Sequence, residues 1–212
     1  MGKNTTSEVV PKHVVIIPDG NRRWAKLHKL PPIEGHKRGL DAAVKVVRGS
    51  RNLGVKILTL WGFSTENWRR EPGEIKYLMK LYTWFFRKHL KELVKEGVKF
   101  NWLGRRDRVP KILKTILEKI EKNTAKNTKY IFNICIDYGG RDELARAVKK
   151  IIIKGIKASQ VDENIISQNL DTAGIPDPDL LIRTSGEKRI SGVMPWQTIY
   201  TEFFFSKLFF PD

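Results

Sequence analysis

The chain has 212 residues, of which 41% are hydrophobic, and it carries a formal net charge of +17 at pH 7. This length predicts one domain with a substantial core, the single cysteine excludes a disulfide within the chain, and no apolar segment reaches the roughly 18 residues that a membrane span needs. The charge favours an anionic partner, such as nucleic acid, an acidic membrane surface or a phosphorylated small molecule, although a heat-adapted surface has a similar composition.

The predicted elements alternate between strands and helices. Residues 1–12 are polar and predict a flexible N-terminal arm, and residues 13–212 predict a single folded domain. Apolar runs predict strands at residues 14–17, 56–63, 98–103, 130–136, 179–183 and 202–205. Apolar positions at helical spacing predict helices at residues 35–53, 74–94, 111–120 and 142–156. This alternation indicates an α/β fold with a mainly parallel central sheet flanked by helices.

Four polar clusters come directly after predicted strands. They occupy residues 19–21, 64–67, 137–141 and 183–186. Because parallel α/β sheets bind ligands beyond the carboxyl ends of their strands, we expect the four clusters to meet in one site.

The first cluster is Asp19-Gly20-Asn21, and Arg22 and Arg23 follow it at once. A turn offers backbone N–H donors, arginines offer planar forks for phosphate oxygens, and a carboxylate can hold a metal ion. The pattern is therefore typical of a magnesium-assisted diphosphate site. An ordinary turn with two solvated arginines would have the same sequence, so this stretch alone does not distinguish a diphosphate site from a surface turn.

The second cluster, residues 63–70, places hydroxyl, carboxylate, amide and arginine side chains beside aromatic rings. This mixture suits an amphiphile with a charged head and an apolar tail. A helix start with Ser64 as its N-cap is the simpler alternative.

The fourth cluster extends through the sequence RTSGEKRIS. Arg183, Arg189 and Ser191 could converge on a second phosphate group. Glu202 could add an oxygen ligand to a metal ion, and a surface position on an edge strand is equally open for this residue.

Five sequence blocks together resemble the cis-prenyltransferases, the undecaprenyl diphosphate synthase-like enzymes, over nearly the whole chain. The blocks are PDGNRRWA (18–25), EGHKRG (34–39), WGFSTENW (61–68), DYGGRDEL (137–144), and DLLIRTSGEKRIS (179–191) with the WQ and Glu202 that follow it. The resemblance implies a single catalytic domain with a hydrophobic tunnel and Mg²⁺ as cofactor. It also implies sequential 1′-4 condensation of isopentenyl diphosphate onto an allylic diphosphate (farnesyl or geranylgeranyl), with cis double bonds. The product would be a polyprenyl diphosphate, the precursor of a carrier lipid.

The same resemblance assigns roles to individual residues. Asp19 and Asn67 are expected to be catalytic, and Asp19 and Glu202 to hold the metal ion. The allylic diphosphate is assigned to Gly20, Asn21, Arg22, Arg23, Trp24, His36 and Arg70. Isopentenyl diphosphate is assigned to Arg183, Arg189, Ile190 and Ser191, and the region between the two substrates to Ser64, Thr65, Glu66 and Trp68. Because a neutral amide is a weak base, we expect Asp19 or a diphosphate oxygen to accept the proton and Asn67 to orient the reactants.

Five positions depart from the family pattern, namely Pro18, Arg22, Pro32, Asp137 and Lys188. Arg22 stands where glycine is common, and we expect the loop to exchange a backbone contact for a side-chain contact, because arginine tolerates a positive φ poorly. Asp137 replaces the usual asparagine, with no evident catalytic consequence.

The resemblance further implies a homodimer in the cytoplasm, and the surface lysines favour peripheral contact with an anionic membrane. The long helix at residues 74–94, about 30 Å in length at 1.5 Å per residue, would form one wall of the tunnel. Two alternatives remain open at this point. The charge and the six tryptophans would also suit a nucleic-acid-binding protein, and a non-catalytic regulatory subunit could retain the same fold.

Overall fold

The computed structural model describes residues 9–212, apart from the side chain of Leu90, so most of the predicted N-terminal arm lies outside the described residues. Six parallel strands form one sheet in the order β3-β4-β2-β1-β5-β6. The strands are β1 (His13–Ile17), β2 (Ile57–Ser64), β3 (Val98–Leu103), β4 (Tyr130–Tyr138), β5 (Leu180–Arg183) and β6 (Glu202–Phe205). The helices are α1 (Asn21–Leu27), α2 (Pro32–Asn52), α3 (Pro72–Lys95), α4 (Lys111–Thr124), α5 (Gly140–Ile153) and α6 (Glu163–Ser167). Short 3₁₀ helices occupy Thr65–Arg69 and Ala158–Gln160.

The predicted α/β fold with a parallel sheet is confirmed, and the differences lie at helix ends and in short helices. Helix α2 begins at Pro32, before the predicted start, because proline suits the first turn of a helix. Helix α5 ends at Ile153 rather than at residue 156, because Gly155 adopts a left-handed φ of 67°. Helices α1 and α6 have seven and five residues and are too short to show helical periodicity.

Side chains on the two faces of the sheet enter two separate apolar cores. On β1, Val14 and Ile16 join the larger core, which α2, α3 and α4 cover. Val15 and Ile17 face the other way and join the smaller core, which contains Cys135. This cysteine is fully buried, and burial raises the pKa of its thiol well above the usual value, as expected for an inert core residue.

A chain of buried polar side chains crosses the sheet. His13 Nδ1 lies 2.7 Å from the carbonyl oxygen of Pro176, and His13 Nε2 lies 2.8 Å from Thr59 Oγ1. Asn133 Nδ2 donates to Thr59 Oγ1 at 2.9 Å, and Asn101 Nδ2 donates to Asn133 Oδ1 at 2.8 Å. Because a carbonyl oxygen can only accept, Nδ1 of His13 carries the proton and Thr59 donates to Nε2. Burial lowers the pKa of His13, which is consistent with this neutral ring.

Helices that follow strands in such a sheet run back towards the strand starts, so α2, α3 and α5 all begin at the edge where the polar clusters lie. Within residues 9–212, none of the helices combines the length and the apolar character needed to cross a membrane. The fold thus brings the polar clusters to one edge of the sheet and extends two long helices away from that edge, but the third cluster, residues 137–141, lines neither of the two pockets described below.

Candidate active site

The carboxyl ends of β1, β2 and β5 border a cavity of about 420 Å³. One end is polar, and the remainder is walled by apolar side chains of α2, α3 and the sheet. The polar end is lined by Asp19, Asn21, His36, Ser64, Glu66, Asn67, Arg70, Arg183 and Ser191. An adjoining basic pocket of about 650 Å³ shares part of this lining and adds Gly20, Arg22, Arg23 and Lys26. A polar head and a long apolar tail would match this shape.

Asp19 is the carboxylate at the centre of the polar end. Its Oδ2 accepts a hydrogen bond of 2.8 Å from Arg183 Nη2, and its Oδ1 accepts one of 2.7 Å from the backbone N–H of Gly20. Arg23 Nη2 lies 3.2 Å from the same Oδ1. Burial opposes ionisation of Asp19, but the hydrogen bond and charge of Arg183, with the charge of Arg23, outweigh it and hold the pKa below its usual value. Asp19 is therefore an anion at neutral pH.

Glycines allow helices α1 and α2 to approach closely and so place Asn21. A Cβ atom on Gly35 would lie 2.0 Å from the backbone oxygen of Asn21, and one on Gly39 would lie 2.6 Å from Asn21 Oδ1. Gly20, immediately before α1, has a φ of 105° that favours glycine. Arg22 lies inside α1 and is not among the residues with positive φ, so its backbone conformation does not require the glycine that is common at this position.

His36 lies between the basic pocket and the start of α3. Its Nε2 is 3.6 Å from Glu74 Oε1, which also accepts a hydrogen bond of 3.0 Å from Arg70 Nη1. Arg22 Nη1 is 3.9 Å from the other oxygen of Glu74. Burial and then the charge of Arg70 lower the pKa of His36 to about 4, so the ring is neutral at pH 7. Glu74 thus offsets part of the positive charge of Arg22 and Arg70 at the basic pocket.

Arg183 is buried and organises the loop that follows β5. Its Nη1 donates to Ser191 Oγ at 2.7 Å and to the carbonyl oxygen of Arg189. The Arg189 side chain is exposed and pairs with Glu187, which also accepts a hydrogen bond of 3.0 Å from Arg23 Nη1. Glu187 therefore joins the arginines of the first and fourth clusters.

The Thr65–Arg69 helix is fixed at its start by reciprocal hydrogen bonds. The Asn67 N–H donates to Ser64 Oγ at 3.2 Å, and the Ser64 N–H donates to Asn67 Oδ1 at 3.1 Å, which forms a capping box. The helix start that the sequence allowed at Ser64 is thus present. Since its carbonyl oxygen is engaged, Asn67 has only its NH₂ group to offer to the cavity, and that group is a donor rather than a base.

Asp137, one of the departures from the family pattern, supports the same segment from behind. The carboxylate is fully buried and accepts hydrogen bonds from both Arg108 Nε, at 2.9 Å, and Arg108 Nη2. The Arg108 guanidinium in turn lies over the ring of Trp68, 5.7 Å from its centroid. The charge of the buried Asp137 carboxylate is therefore paired with the Arg108 guanidinium, and a neutral asparagine could not form this ion pair.

Several polar atoms at the polar end are buried without a hydrogen-bond partner. Among residues 9–212 these include Asn21 Oδ1, His36 Nε2, Arg183 Nε and Ser185 Oγ. An unpaired buried polar atom is costly, and three of these four residues line the same cavity as Asp19, which indicates a place for a polar ligand.

Not all predicted site residues reach the two pockets. Trp24 stacks on His28 with ring centroids 4.2 Å apart, and Ile190 packs against the smaller core. Thr65, Trp68 and Arg189 are close to the site without lining either pocket. Lys26, Glu74 and Glu187 were not assigned a role from sequence, because only their spatial neighbours reveal them.

Glu202 lies at the amino end of the edge strand β6, whereas Asp19 follows the carboxyl end of β1. Strand β6 is parallel to β5, with Glu202 beside Leu180 and Phe205 beside Arg183. At about 3.3 Å per residue, Glu202 is about 10 Å along the strand from the level of Arg183. Within one subunit the structure does not bring Glu202 and Asp19 together.

The donor atoms present allow a magnesium ion only with help from a ligand. In the part of the chain that the structure describes, no three His, Cys, Asp or Glu side chains group together as metal ligands. Asp19 supplies one carboxylate, which lines both the cavity and the adjoining basic pocket. Mg²⁺ is commonly bound by one or two carboxylates together with substrate phosphates and water, so Asp19 fits an ion that arrives with a diphosphate.

Comparisons with known proteins agree with this geometry. Residues 17–212 match a family model described as "Putative undecaprenyl diphosphate synthase". An isoprenyl transferase of Bacillus cereus is 43% identical over 96% of this chain and 80% of the relative. The crystal structure of lavandulyl diphosphate synthase from Lavandula x intermedia, in complex with dimethylallyl diphosphate, is 37% identical and superposes with a TM-score of 0.92 over 97% of this chain and 90% of that one. A probable undecaprenyl diphosphate synthase from Campylobacter jejuni is 29% identical with a TM-score of 0.79, over 95% and 88% of the two chains. The chain therefore belongs to the undecaprenyl diphosphate synthase family and is a cis-prenyltransferase.

Proposed function

We propose that the protein extends an allylic diphosphate by repeated addition of isopentenyl diphosphate and so makes a polyprenyl diphosphate. The observation that carries this proposal is the continuity of two environments. A polar end with unpaired buried donors and acceptors opens directly into an apolar cavity. The lavandulyl diphosphate synthase relative was solved with a five-carbon allylic diphosphate, which supports a ligand of this class.

The basic pocket is assigned to the allylic diphosphate. Arg22, Arg23 and Arg70 supply guanidinium groups there, and neutral His36 supplies a ring nitrogen that has no hydrogen-bond partner. Arg183 and Ser191, on the other side of Asp19, are assigned to isopentenyl diphosphate, with the exposed Arg189 closing over it. In this assignment the two diphosphates would lie on either side of one carboxylate.

The reaction itself breaks the allylic C–O bond, forms a C–C bond to the alkene carbon of isopentenyl diphosphate, and releases one proton and diphosphate. The guanidinium groups stabilise the charge that develops on the departing diphosphate. A magnesium ion, when bound at Asp19, would neutralise part of the same charge. The proton is assigned to Asp19 or a diphosphate oxygen, and the Asn67 NH₂ group is assigned to orienting the substrates.

The test is incubation with magnesium, labelled isopentenyl diphosphate and, separately, geranyl, farnesyl and geranylgeranyl diphosphates, followed by sizing of the extracted products. Label in polyprenyl products that disappears with a chelator supports the proposal. Absence of label with every primer, from folded protein, contradicts it.

We further propose that two copies of the chain associate through β6. This edge strand exposes Phe203 and Phe204, and the preceding Ile199 and Tyr200 are 73% and 94% exposed. An exposed apolar edge strand is unusual on a monomer and is typical of an association surface. Light scattering of the wild type and of Phe204→Asp should give a dimer and a monomer, respectively, whereas a wild-type monomer contradicts the proposal.

The lysines also support peripheral contact with an anionic membrane. Sedimentation with phosphatidylglycerol vesicles at low salt, and its absence with phosphatidylcholine vesicles, is the expected result. Nothing in the fold or in the relatives supports the two alternatives, a nucleic-acid-binding protein or a non-catalytic subunit.

A further inference from the structure

Helices α1 and α2 form a hairpin whose exposed end borders the basic pocket. The two helices pack closely, since a Cβ on Gly35 would lie 3.1 Å from the Cβ of the buried Ala25. Beyond this contact, all eight residues of the segment 26–33 are exposed. We call this segment the α1–α2 tip. Its Leu30 and Pro32 also line the basic pocket, so the tip adjoins the site assigned to the allylic diphosphate.

The α1–α2 tip carries large apolar side chains on its surface. Leu27, Leu30 and Ile33 are 70%, 41% and 38% exposed, and Pro31 and Pro32 lie between the last two. A single exposed apolar residue is common on a protein surface and needs no explanation. Three of them within seven residues, together with two prolines, form an apolar segment of the kind that marks an association surface.

The backbone of the tip is suited to an apolar environment. Helix α1 ends in a Schellman motif, in which the N–H of Leu30 donates to the carbonyl oxygen of Ala25 at 2.8 Å. The N–H of Lys29 donates to the carbonyl oxygen of Lys26 at 3.1 Å, and Lys29 has the left-handed φ of 56° that the motif requires. The next two residues are prolines, which have no N–H. The tip can therefore leave water without exposing these backbone donors, whose desolvation would otherwise oppose the transfer.

Cations surround the apolar side chains of the tip. Residues 22–38 contain six lysines and arginines and a single acid, Glu34, which lies 2.6 Å from Lys37 Nζ. This charge attracts an anionic surface and repels a second copy of the same segment. A nucleic acid would match the charge but offers no apolar layer for the leucines. An anionic bilayer offers both, because lysine ammonium groups can reach the headgroups while neighbouring apolar side chains enter the layer below.

We propose that the α1–α2 tip docks on an anionic lipid surface, with Leu27, Leu30 and Ile33 at the boundary between headgroups and acyl chains. This inference rests on the proposed membrane contact and assigns that contact to one face of the protein. The face includes the mouth of the basic pocket. A product with a long apolar tail would accordingly be released where lipid can receive it.

The first test is sedimentation of the double variant Leu27→Ser/Ile33→Ser with phosphatidylglycerol vesicles. Neither residue lines a pocket, and the circular dichroism spectrum should equal that of the wild type. We expect binding to weaken roughly tenfold, or about 1.4 kcal/mol, because two side chains that enter the bilayer are replaced by polar ones. The matched control is Leu53→Ser/Ile112→Ser, which removes a leucine and an isoleucine that are 73% and 62% exposed elsewhere and should bind like the wild type.

The second test reports insertion directly. The single cysteine, Cys135, is fully buried, so an environment-sensitive dye can be attached selectively to Leu27→Cys. Its emission should shift to the blue when phosphatidylglycerol vesicles are added. The same dye on Leu53→Cys should show no shift, since that position lies outside the tip.

Three results would count against the proposal in different ways. Equal vesicle binding by the wild type and the double variant, or unshifted emission from the dye on Leu27→Cys, would overturn the assignment to the tip. A change of oligomeric state in the double variant, measured by light scattering, would identify the tip as a contact between copies and would also overturn it. Wild-type protein that does not sediment with the vesicles would refute the membrane contact itself. None of these measurements depends on prenyl transfer, which the product assay tests separately.

Discussion

Replacing Gly39 by alanine should damage substrate binding with little loss of stability. The new Cβ would lie 2.6 Å from Asn21 Oδ1 and 2.8 Å from its Nδ2, so the Asn21 amide must move. The gain in helix propensity, about 1 kcal/mol, reduces an overpacking cost of about 1–3 kcal/mol to a net loss of about 0–2 kcal/mol. With Asn21 assigned to the allylic diphosphate as proposed, a displaced amide would lose a hydrogen bond to a charged group, which is worth about 1.5–3 kcal/mol. We therefore expect kcat/KM for the allylic substrate to fall roughly ten- to a hundredfold.

The assay is steady-state kinetics with a varied allylic primer, run beside thermal unfolding. Gly49→Ala is the matched control, since it lies on the same helix and a Cβ there has no atom within 4 Å. It should raise stability by about 1 kcal/mol, or about 2–4 °C in Tm for a chain of this size, and leave the kinetics unchanged. A Gly39→Ala enzyme with wild-type kinetics would refute the reasoning that Asn21 must occupy this position.

Three further predictions concern the polar end. Asp19→Asn should lower kcat by roughly 10²–10⁴ with an unchanged circular dichroism spectrum; a loss below tenfold would remove this carboxylate from the mechanism. Arg189→Ala should raise KM for isopentenyl diphosphate roughly tenfold, whereas Lys188→Ala should not; an effect confined to the allylic substrate would mean that the two diphosphates are assigned the wrong way round. Because the pKa of His36 falls from 6.5 in the unfolded chain to about 4 in the folded one, the unfolded chain binds a proton first on acidification. The free energy of unfolding should drop by about 3 kcal/mol between pH 6.5 and 4. Urea titrations across this range should show that the free energy of unfolding of His36→Gln depends less on pH than that of the wild type, and an equal dependence would contradict the shift.

The sequence predicted the structure best for the strands that helices cover on both faces of the sheet. The apolar run of β1 is unbroken after His13, and the runs at 57–63 and 130–136 each contain one polar side chain, because parallel strands covered by helices on both faces need apolar side chains almost throughout. The edge strand β3 alternates instead, with Lys99 and Asn101 between apolar residues. Once the strands were parallel, the polar clusters after them had to meet at one edge. The fold and the grouping of Asp19, Asn67 and Arg183 could therefore be predicted without a structure.

The remaining features depend on distances between residues that are far apart in the sequence, and no sequence pattern gives these distances. The start of α1 at Asn21 resembles a turn, since seven residues are too few for helical periodicity. Glu74 and Glu187 are ordinary surface glutamates in sequence, and only the approach of arginines from other elements gives them a part in the site. Glu202 could not be placed from the sequence, because its distance from Asp19 depends on β6 pairing parallel to β5, and the short apolar run does not give that direction.

The polar chain of His13, Thr59, Asn133 and Asn101 has a consequence for how the strands find their alignment. Strands that are apolar on both faces can slide past each other by one residue and still bury apolar side chains, so hydrophobicity specifies their pairing weakly. Such a slip of β2 against β1 would carry Thr59 to the opposite face and leave His13 Nε2 and Asn133 Nδ2 buried without partners. Each unpaired group would cost about 1–3 kcal/mol, a large share of the stability of a typical domain. Residues remote from the reaction thus single out the one alignment of β1, β2, β4 and β3 in which the catalytic loops meet.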